Sequence, residues 1–100
     1  MANEQRSVPY DPTERLQTPE DIAEYLDVAL EDGDNRVLLM ALRHAVEAVG
    51  GMTELARRTG LSRESLYRTL SENGNPRLTT LRLILNAFGV DLGIRPGHAA

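Results

Sequence analysis

The feature that most constrains the fold is a run of apolar residues at helical spacing in the middle of the chain. Its members are Leu38, Ala41, Leu42, Ala45, Val46 and Val49. Intervals of three and four place these side chains on one face of an α-helix over residues 35–49. Because a chain of 100 residues has room for one modest core, we predict that this helix lies at its centre.

Another helix is predicted before the central one, and its first residues carry a start signal. Thr18 can cap the helix, Pro19 suits the first helical position, and Asp21 favours the positive end of the helix dipole. Gly33 is expected to end this helix, and Asp34 to cap the central one.

Three shorter helices are predicted after the central one. Thr53 and Ser62 can cap the first two, which together span residues 53–72. Thr79 or Thr80 can start the last helix, which has apolar residues on one face.

The two ends of the chain show no helical period. Residues 1–17 are predicted to form an extended arm, because two prolines restrict the backbone there. Residues 90–95 alternate between apolar and polar, the period of a short C-terminal strand, although no other strand within the chain can pair with it. A tail packed on the core is the alternative. Residues 96–100 are expected to be flexible, which leaves one helical domain over residues 18–95.

Charge divides the chain into an acidic half and a basic half. Residues 1–50 hold 4 arginines against 11 acidic residues, whereas residues 51–100 hold 7 arginines against 4. We expect the halves to serve different partners, although uneven charge in a short chain is the alternative. The sequence has no cysteine and no apolar run near the roughly 18 residues of a membrane span, so we expect a cytoplasmic protein.

The stretch over residues 53–72 has the pattern of a helix-turn-helix. Gly60 permits the tight turn, and Ala56 is small where two helices would cross closely. Leu66 and Leu70 are four residues apart and would bury one edge of the second helix. The other face of that helix would be exposed. A plain helical hairpin with a solvated charged face is the alternative.

This exposed face is predicted to enter the major groove of DNA. Arginine can donate to guanine O6 and N7 together, and glutamate can accept from cytosine N4. The candidates for base contact are Arg63, Glu64, Tyr67 and Arg68. Hydroxyls near helix starts and polar groups in the following loop can bind phosphate. The candidates for phosphate contact are Thr53, Ser62, Ser65, Asn75 and Arg77.

The residues over 52–92, MTELARRTGLSRESLYRTLSENGNPRLTTLRLILNAFGVDL, resemble the helix-turn-helix region of addiction-module antidote proteins, which are small prophage-type DNA-binding antitoxins. Within them, LSRESLYRTLSENGNPR is the most specific part. The preceding DIAEYLDVALEDGDNRVLLMALRHAVEAVGGM resembles the family's two N-terminal helices, so the resemblance covers roughly residues 10–95. Thr79 and Thr80 depart from the family, which often places an aspartate cap there.

The resemblance implies an all-α, five-helix fold of the phage-repressor type. It also implies autoregulation of a shared operon and a neighbouring toxin of the RelE/ParE ribonuclease-like class. By position, the family's recognition helix falls on Ser62, Arg63, Glu64, Ser65, Tyr67 and Arg68.

The acidic first helix is the predicted surface for that toxin, because toxins of this class are usually basic. Complementary charge speeds encounter, whereas affinity needs apolar anchors. The candidate residues are Tyr10, Leu16, Glu20, Asp21, Glu24 and Tyr25, with Asp27, Glu31 and Asp32 extending the acidic surface. A solvated acidic face that aids solubility is the alternative.

Other functions are weighed against a dimeric, DNA-binding antitoxin, whose dimer would read a palindromic operator. A stand-alone prophage-type repressor is the nearest alternative, and a protein-interaction module without DNA affinity is another. His44 lies on an apolar helix and His98 in the tail, with no catalytic constellation around either. No metal-ligand spacing or glycine-rich phosphate loop is present. We therefore expect neither an enzyme, nor a metal, nor a cofactor.

Overall fold

The computed structural model describes residues 12–97 of the chain. This range contains one 3-10 helix, Pro12–Arg15, followed by five α-helices. The α-helices are α1 (Pro19–Asp32), α2 (Asn35–Ala48), α3 (Met52–Thr59), α4 (Arg63–Thr69) and α5 (Leu78–Ala87). The predicted all-α, five-helix fold is confirmed.

The helix α1 begins with the residues that the sequence indicates. The Asp21 N–H donates to the Thr18 hydroxyl at 3.1 Å, and the Thr18 N–H donates to the Asp21 carboxylate at 3.1 Å. These reciprocal bonds form a capping box, which satisfies two backbone donors at the start of the helix. Gly33 ends α1 in the left-handed conformation, and the Asp34 carboxylate caps α2.

The central position predicted for α2 is confirmed by its packing. This helix contacts α1, α3 and the 3-10 helix, and Leu42, Ala45 and Val46 have almost no exposed surface. Truncating such a leucine to alanine typically costs about 2–5 kcal/mol, so this stripe is a main source of stability. No helix within residues 12–97 is long and apolar enough to cross a membrane.

Two predicted helix caps are wrong. The helix α3 begins at Met52, so Thr53 lies inside its first turn, and α5 begins at Leu78, so Thr79 and Thr80 lie inside the first turn of α5. Met52 is buried in the core. Burying such a side chain contributes about 1.5–3 kcal/mol, whereas a cap contributes about 1 kcal/mol. Packing therefore sets the start of α3.

Part of the segment predicted as an extended arm over residues 1–17 is helical. The segment Pro12–Arg15 is a 3-10 helix rather than extended chain, and it packs against α2. Leu16 follows it and is only 6% exposed. Leu16, a candidate apolar anchor for a toxin, therefore belongs to the core of the domain, and its contact with a toxin stays a prediction. Residues 1–11, with Tyr10 among them, lie outside the described residues.

The short C-terminal strand is absent from the described part of the single chain. Residues 90–95 are irregular, because every regular element that could lie beside them is helical. Val90 packs against the core, and its N–H donates to the Leu85 carbonyl at 3.0 Å. The Arg95 guanidinium donates to both carboxylate oxygens of Asp27, at 2.7 and 2.8 Å. This ion pair ties the segment to α1.

Candidate nucleic-acid interface

The turn between α3 and α4 is closed by hydrogen bonds within its own residues. Gly60 adopts a left-handed conformation with φ 77°, and its N–H donates to the Ala56 carbonyl at 2.9 Å. The Thr59 hydroxyl donates to the Leu55 carbonyl at 2.8 Å and accepts from the Leu61 N–H at 3.2 Å. A side chain at Gly60 would be strained at this φ, so glycine suits the turn between the two helices.

One edge of α4 is sealed in the core. Leu66 and Leu70 have no exposed surface, and both pack in the cluster that includes Leu55 of α3. The Ser62 hydroxyl accepts a hydrogen bond from the Ser65 N–H at 3.0 Å and so caps α4 as predicted. The helix ends at Thr69, earlier than expected, but its buried edge is the predicted one.

The opposite face of α4 is open to solvent. Arg63, Glu64, Tyr67 and Arg68 are all exposed, and the Tyr67 side chain is 53% exposed. The Arg63 guanidinium carbon lies 5.8 Å from the centre of the Tyr67 ring, a cation–π arrangement. Within residues 12–97, the side chain of Arg68 has no hydrogen-bond or ion-pair partner. The structure thus brings the four candidates for base contact onto one helix face.

Four of the five candidates for phosphate contact are open to solvent. Thr53, Ser62, Asn75 and Arg77 are exposed, whereas Ser65 is half-buried. None of the four exposed side chains is buried in the core, so each of them is accessible to a phosphate group.

The loop after α4 holds Asn75 and Arg77 in a defined position because it passes close to the helix. A Cβ atom at Gly74 would lie only 1.9 Å from the Thr69 carbonyl oxygen. Any other residue would therefore force the loop away from the end of α4. The Gly74 N–H donates to the Ser71 carbonyl at 2.9 Å, which completes the turn.

The arginines of α3 are arranged differently from those of α4. Arg57 and Arg58 both donate to the Glu54 carboxylate, with Nε-to-oxygen distances of 3.0 and 2.8 Å. The hydrogen bonds from Arg57 and then Arg58 lower the pKa of Glu54 to about 2. Arg58 also donates to the Ala87 carbonyl at 2.9 Å, at the end of α5.

A residue that sequence reasoning missed holds the end of α4. Arg43 of α2 donates from Nη1 to the Leu70 carbonyl at 2.6 Å, and its side chain is partly buried. A cation at a helix C-terminus satisfies an unpaired carbonyl and opposes the negative end of the helix dipole. The one available signal was an arginine directly beside Leu42 of the apolar stripe on α2.

The acidic surface of α1 is only partly available to a partner. Glu20 and Glu24 are exposed, whereas the Asp21 carboxylate is engaged in the capping box. The Tyr25 hydroxyl lies 2.6 Å from Nδ1 of His44, so this half-buried pair joins α1 to α2.

The architecture defines the class of the protein as a small helical domain, compatible with a helix-turn-helix formed by α3 and α4. The family model described as "Probable addiction module antidote protein" matches residues 6–96. The chain belongs to this family.

A similar protein of Haemophilus influenzae, described as "Uncharacterized protein", is 32% identical over 91 residues. The alignment covers 91% of this chain and 93% of that relative. No solved structure matches.

Proposed function

We propose that the protein is a DNA-binding antitoxin of a type II toxin–antitoxin module. It represses its own operon as a cytoplasmic homodimer and neutralises a RelE/ParE-type toxin by direct binding. The exposed face of α4 carries the DNA-binding part of the proposal, because its opposite edge is fully buried at Leu66 and Leu70. Membership of the antidote family supports the toxin partner.

On DNA, α4 lies in the major groove and its two arginines read guanine. Arg63 and Arg68 donate to guanine O6 and N7, Glu64 accepts from cytosine N4, and Tyr67 touches a thymine methyl group or a phosphate. Thr53, Ser62, Ser65, Asn75 and Arg77 hold the backbone on either side. The contacts to the DNA backbone position the protein, and the contacts to the bases select the sequence.

Toxin binding is assigned to the exposed part of α1. Glu20 and Glu24 attract a basic partner, and the half-buried Tyr25 supplies an apolar anchor. Asp21 adds charge but is held in the capping box. Complementary charge of this kind accelerates association.

The test is a mobility-shift titration of the duplex upstream of the gene, at several salt concentrations. Neutralising phosphates releases counterions, so log affinity should fall linearly with log salt, by about 0.9 for each phosphate contacted. A duplex of scrambled sequence should bind more weakly, but its log affinity should also fall steeply with log salt. An affinity that does not respond to salt would overturn the DNA-binding function.

A stand-alone repressor is the second candidate function, because part of the acidic surface is already neutralised. Arg95 pairs with Asp27 and lies 3.4 Å from a Glu31 carboxylate oxygen. To distinguish the two functions, a short basic reading frame beside the gene is expressed with and without this protein, and toxicity to the host is measured. Rescue from toxicity supports the antitoxin, and a harmless neighbour supports the repressor alone.

A further inference from the structure

The C-terminal segment, residues 91–97, exposes apolar side chains and backbone groups that have no hydrogen-bond partner on the described backbone. Within residues 12–97, the Val90 N–H makes the last backbone hydrogen bond, and residues 91–97 make none. Leu92 is 41% exposed and Ile94 is 101% exposed. An exposed edge with apolar side chains favours pairing with another chain.

This segment is nevertheless held in place. Arg95 binds both carboxylate oxygens of Asp27, at 2.7 and 2.8 Å, and lies 3.4 Å from Glu31. Two-point binding of a guanidinium fixes direction as well as distance. The open groove between the segment and α1 is lined by Leu30 and Ile94 as well as these charged groups. Because the segment is already tied to α1, it loses less conformational entropy when a partner strand binds.

We propose that residues 91–95 of two copies of this chain pair as antiparallel strands centred on Gly93. The proposal deepens the homodimer of the proposed function, on which its biological role rests, by naming the surface that forms the dimer. Its occupant is a second copy of the chain.

The order of residues in the segment is self-complementary in this register. With Gly93 opposite the partner's Gly93, Asp91 faces the partner's Arg95, and Leu92 faces the partner's Ile94. The apolar pair of Leu92 with the partner's Ile94 stabilises the two strands, whereas the Arg95 guanidinium stays bound to Asp27 of its own chain. A shift by one residue would place apolar and charged side chains on the same face, so the register is specified.

Symmetry favours a second copy over an unrelated protein. A two-fold interface uses the same patch on both subunits, and antiparallel pairing of one segment with itself meets that requirement. Gly93 has no atom within 4 Å of the position of a Cβ, so space exists at the symmetry axis. Helix-turn-helix proteins bind palindromic sites as such dimers.

Cysteine cross-linking tests the register, since the sequence has no cysteine. Opposite Cα atoms in an antiparallel pair are about 4.5–5.5 Å apart, and a disulfide needs about 4.4–6.8 Å. G93C should therefore cross-link efficiently on mild oxidation. L92C and I94C should each cross-link poorly alone, because each faces the other residue, but a mixture of the two proteins should cross-link well.

Sedimentation without DNA tests the dimer itself. The wild-type mass should rise towards that of a dimer with concentration, whereas Ile94→Asp should stay monomeric at concentrations where wild type is mainly dimeric. Val28→Asp is the matched control, because Val28 is 63% exposed on α1 but lies outside the segment. Circular dichroism should show that both variants remain folded.

Three results would overturn the pairing: a wild-type monomer at all concentrations, a dimer that Ile94→Asp leaves intact, or G93C cross-linking no better than V28C. Failure of the DNA-binding function is distinguishable. A protein that binds its operator as a dimer that Ile94→Asp leaves intact contradicts only the strand pairing. A protein that cross-links at Gly93 but binds DNA independently of salt contradicts only the proposed function.

Discussion

The helices α3 and α4 are neighbours of similar length and similar charge, but their arginines have different surroundings. Each helix carries a glutamate four residues before an arginine, Glu54 with Arg58 and Glu64 with Arg68. In α3 the pair forms, with 2.8 Å between Nε and the carboxylate oxygen. In α4 the same spacing leaves Arg68 without a partner among the described residues.

The difference teaches that a third contact decides whether such a pair forms. Exposed pairs at this spacing contribute only about 0.3–0.5 kcal/mol, which hardly offsets the ordering of two long side chains. Arg58 is also anchored by the Ala87 carbonyl of α5, and Glu54 is also bound by Arg57. Within residues 12–97, no second contact of this kind holds the Arg68 side chain. Its charge is therefore available to an external ligand, whereas both arginines of α3 share the Glu54 carboxylate.

The largest expected effect comes from removing the unpaired arginine. Arg68→Ala should weaken operator binding by about 1–3 kcal/mol and relax preference at one base position per half-site, if Arg68 reads guanine. Stability should change by less than about 0.5 kcal/mol, as is usual for an exposed residue without contacts. Fluorescence anisotropy on operator duplexes with single-base changes measures the binding.

The matched control for this prediction is Arg57→Ala. It removes one arginine from the neighbouring helix and should change binding much less, because Arg57 is already paired with Glu54. Equal losses for the two variants would contradict the contrast between the helices. A loss for Arg68→Ala that is uniform over all sequences would assign Arg68 to phosphate instead.

A smaller loss of stability and of operator affinity is expected at Arg43, which donates a hydrogen bond to the Leu70 carbonyl at the end of α4. Removing a hydrogen bond from a charged donor costs about 1.5–3 kcal/mol when the acceptor stays buried. Arg43 is half-exposed, so we expect about 1–2 kcal/mol for Arg43→Met in urea denaturation. Operator affinity should fall as well, since the Leu70 carbonyl lies at the end of α4.

Two measurements separate support of α4 from general stability. Hydrogen exchange should become faster in α4 than in α1, and Arg43→Lys should recover part of the operator affinity by restoring a cation at the carbonyl. If exchange rises equally in all helices, Arg43 has no particular role in positioning α4.

The smallest expected effect is a dependence of stability on acid. Hydrogen bonds from Arg57 and Arg58 lower the pKa of Glu54 from 4.5 to about 2. A depressed folded-state pKa adds stability that is present above pH 4.5 and is lost as pH falls towards 2. The melting temperature of wild type should therefore exceed that of Glu54→Gln at pH 6 and approach it near pH 2.

Glu64→Gln is the matched control for this acid dependence. It removes a carboxylate at the same spacing that has no arginine partner among the described residues. Its melting temperature should stay close to that of wild type at each pH. A similar pH-dependent loss in both variants would show that the Glu54 pair contributes nothing specific.

Local sequence patterns were sufficient where the interactions are themselves local. The capping box at Thr18, the glycine turn at Gly60 and the buried edge formed by Leu66 and Leu70 involve residues at most four apart. The cap predicted at Thr53 was wrong because α3 begins at the buried Met52. The DNA contacts and the toxin surface stay predictions.

The sequence by itself determined the number of helices, the face of each that is apolar and the residues that α4 exposes. These follow from helical periodicity and capping, whose range is one or two turns. Only the tertiary structure decided which arginines are anchored to distant parts of the chain, because the acceptors bound by Arg43, Arg58 and Arg95 lie 27, 29 and 68 residues away. No local pattern encodes such pairs, since they arise when separate helices pack and bring a guanidinium beside a carbonyl or carboxylate.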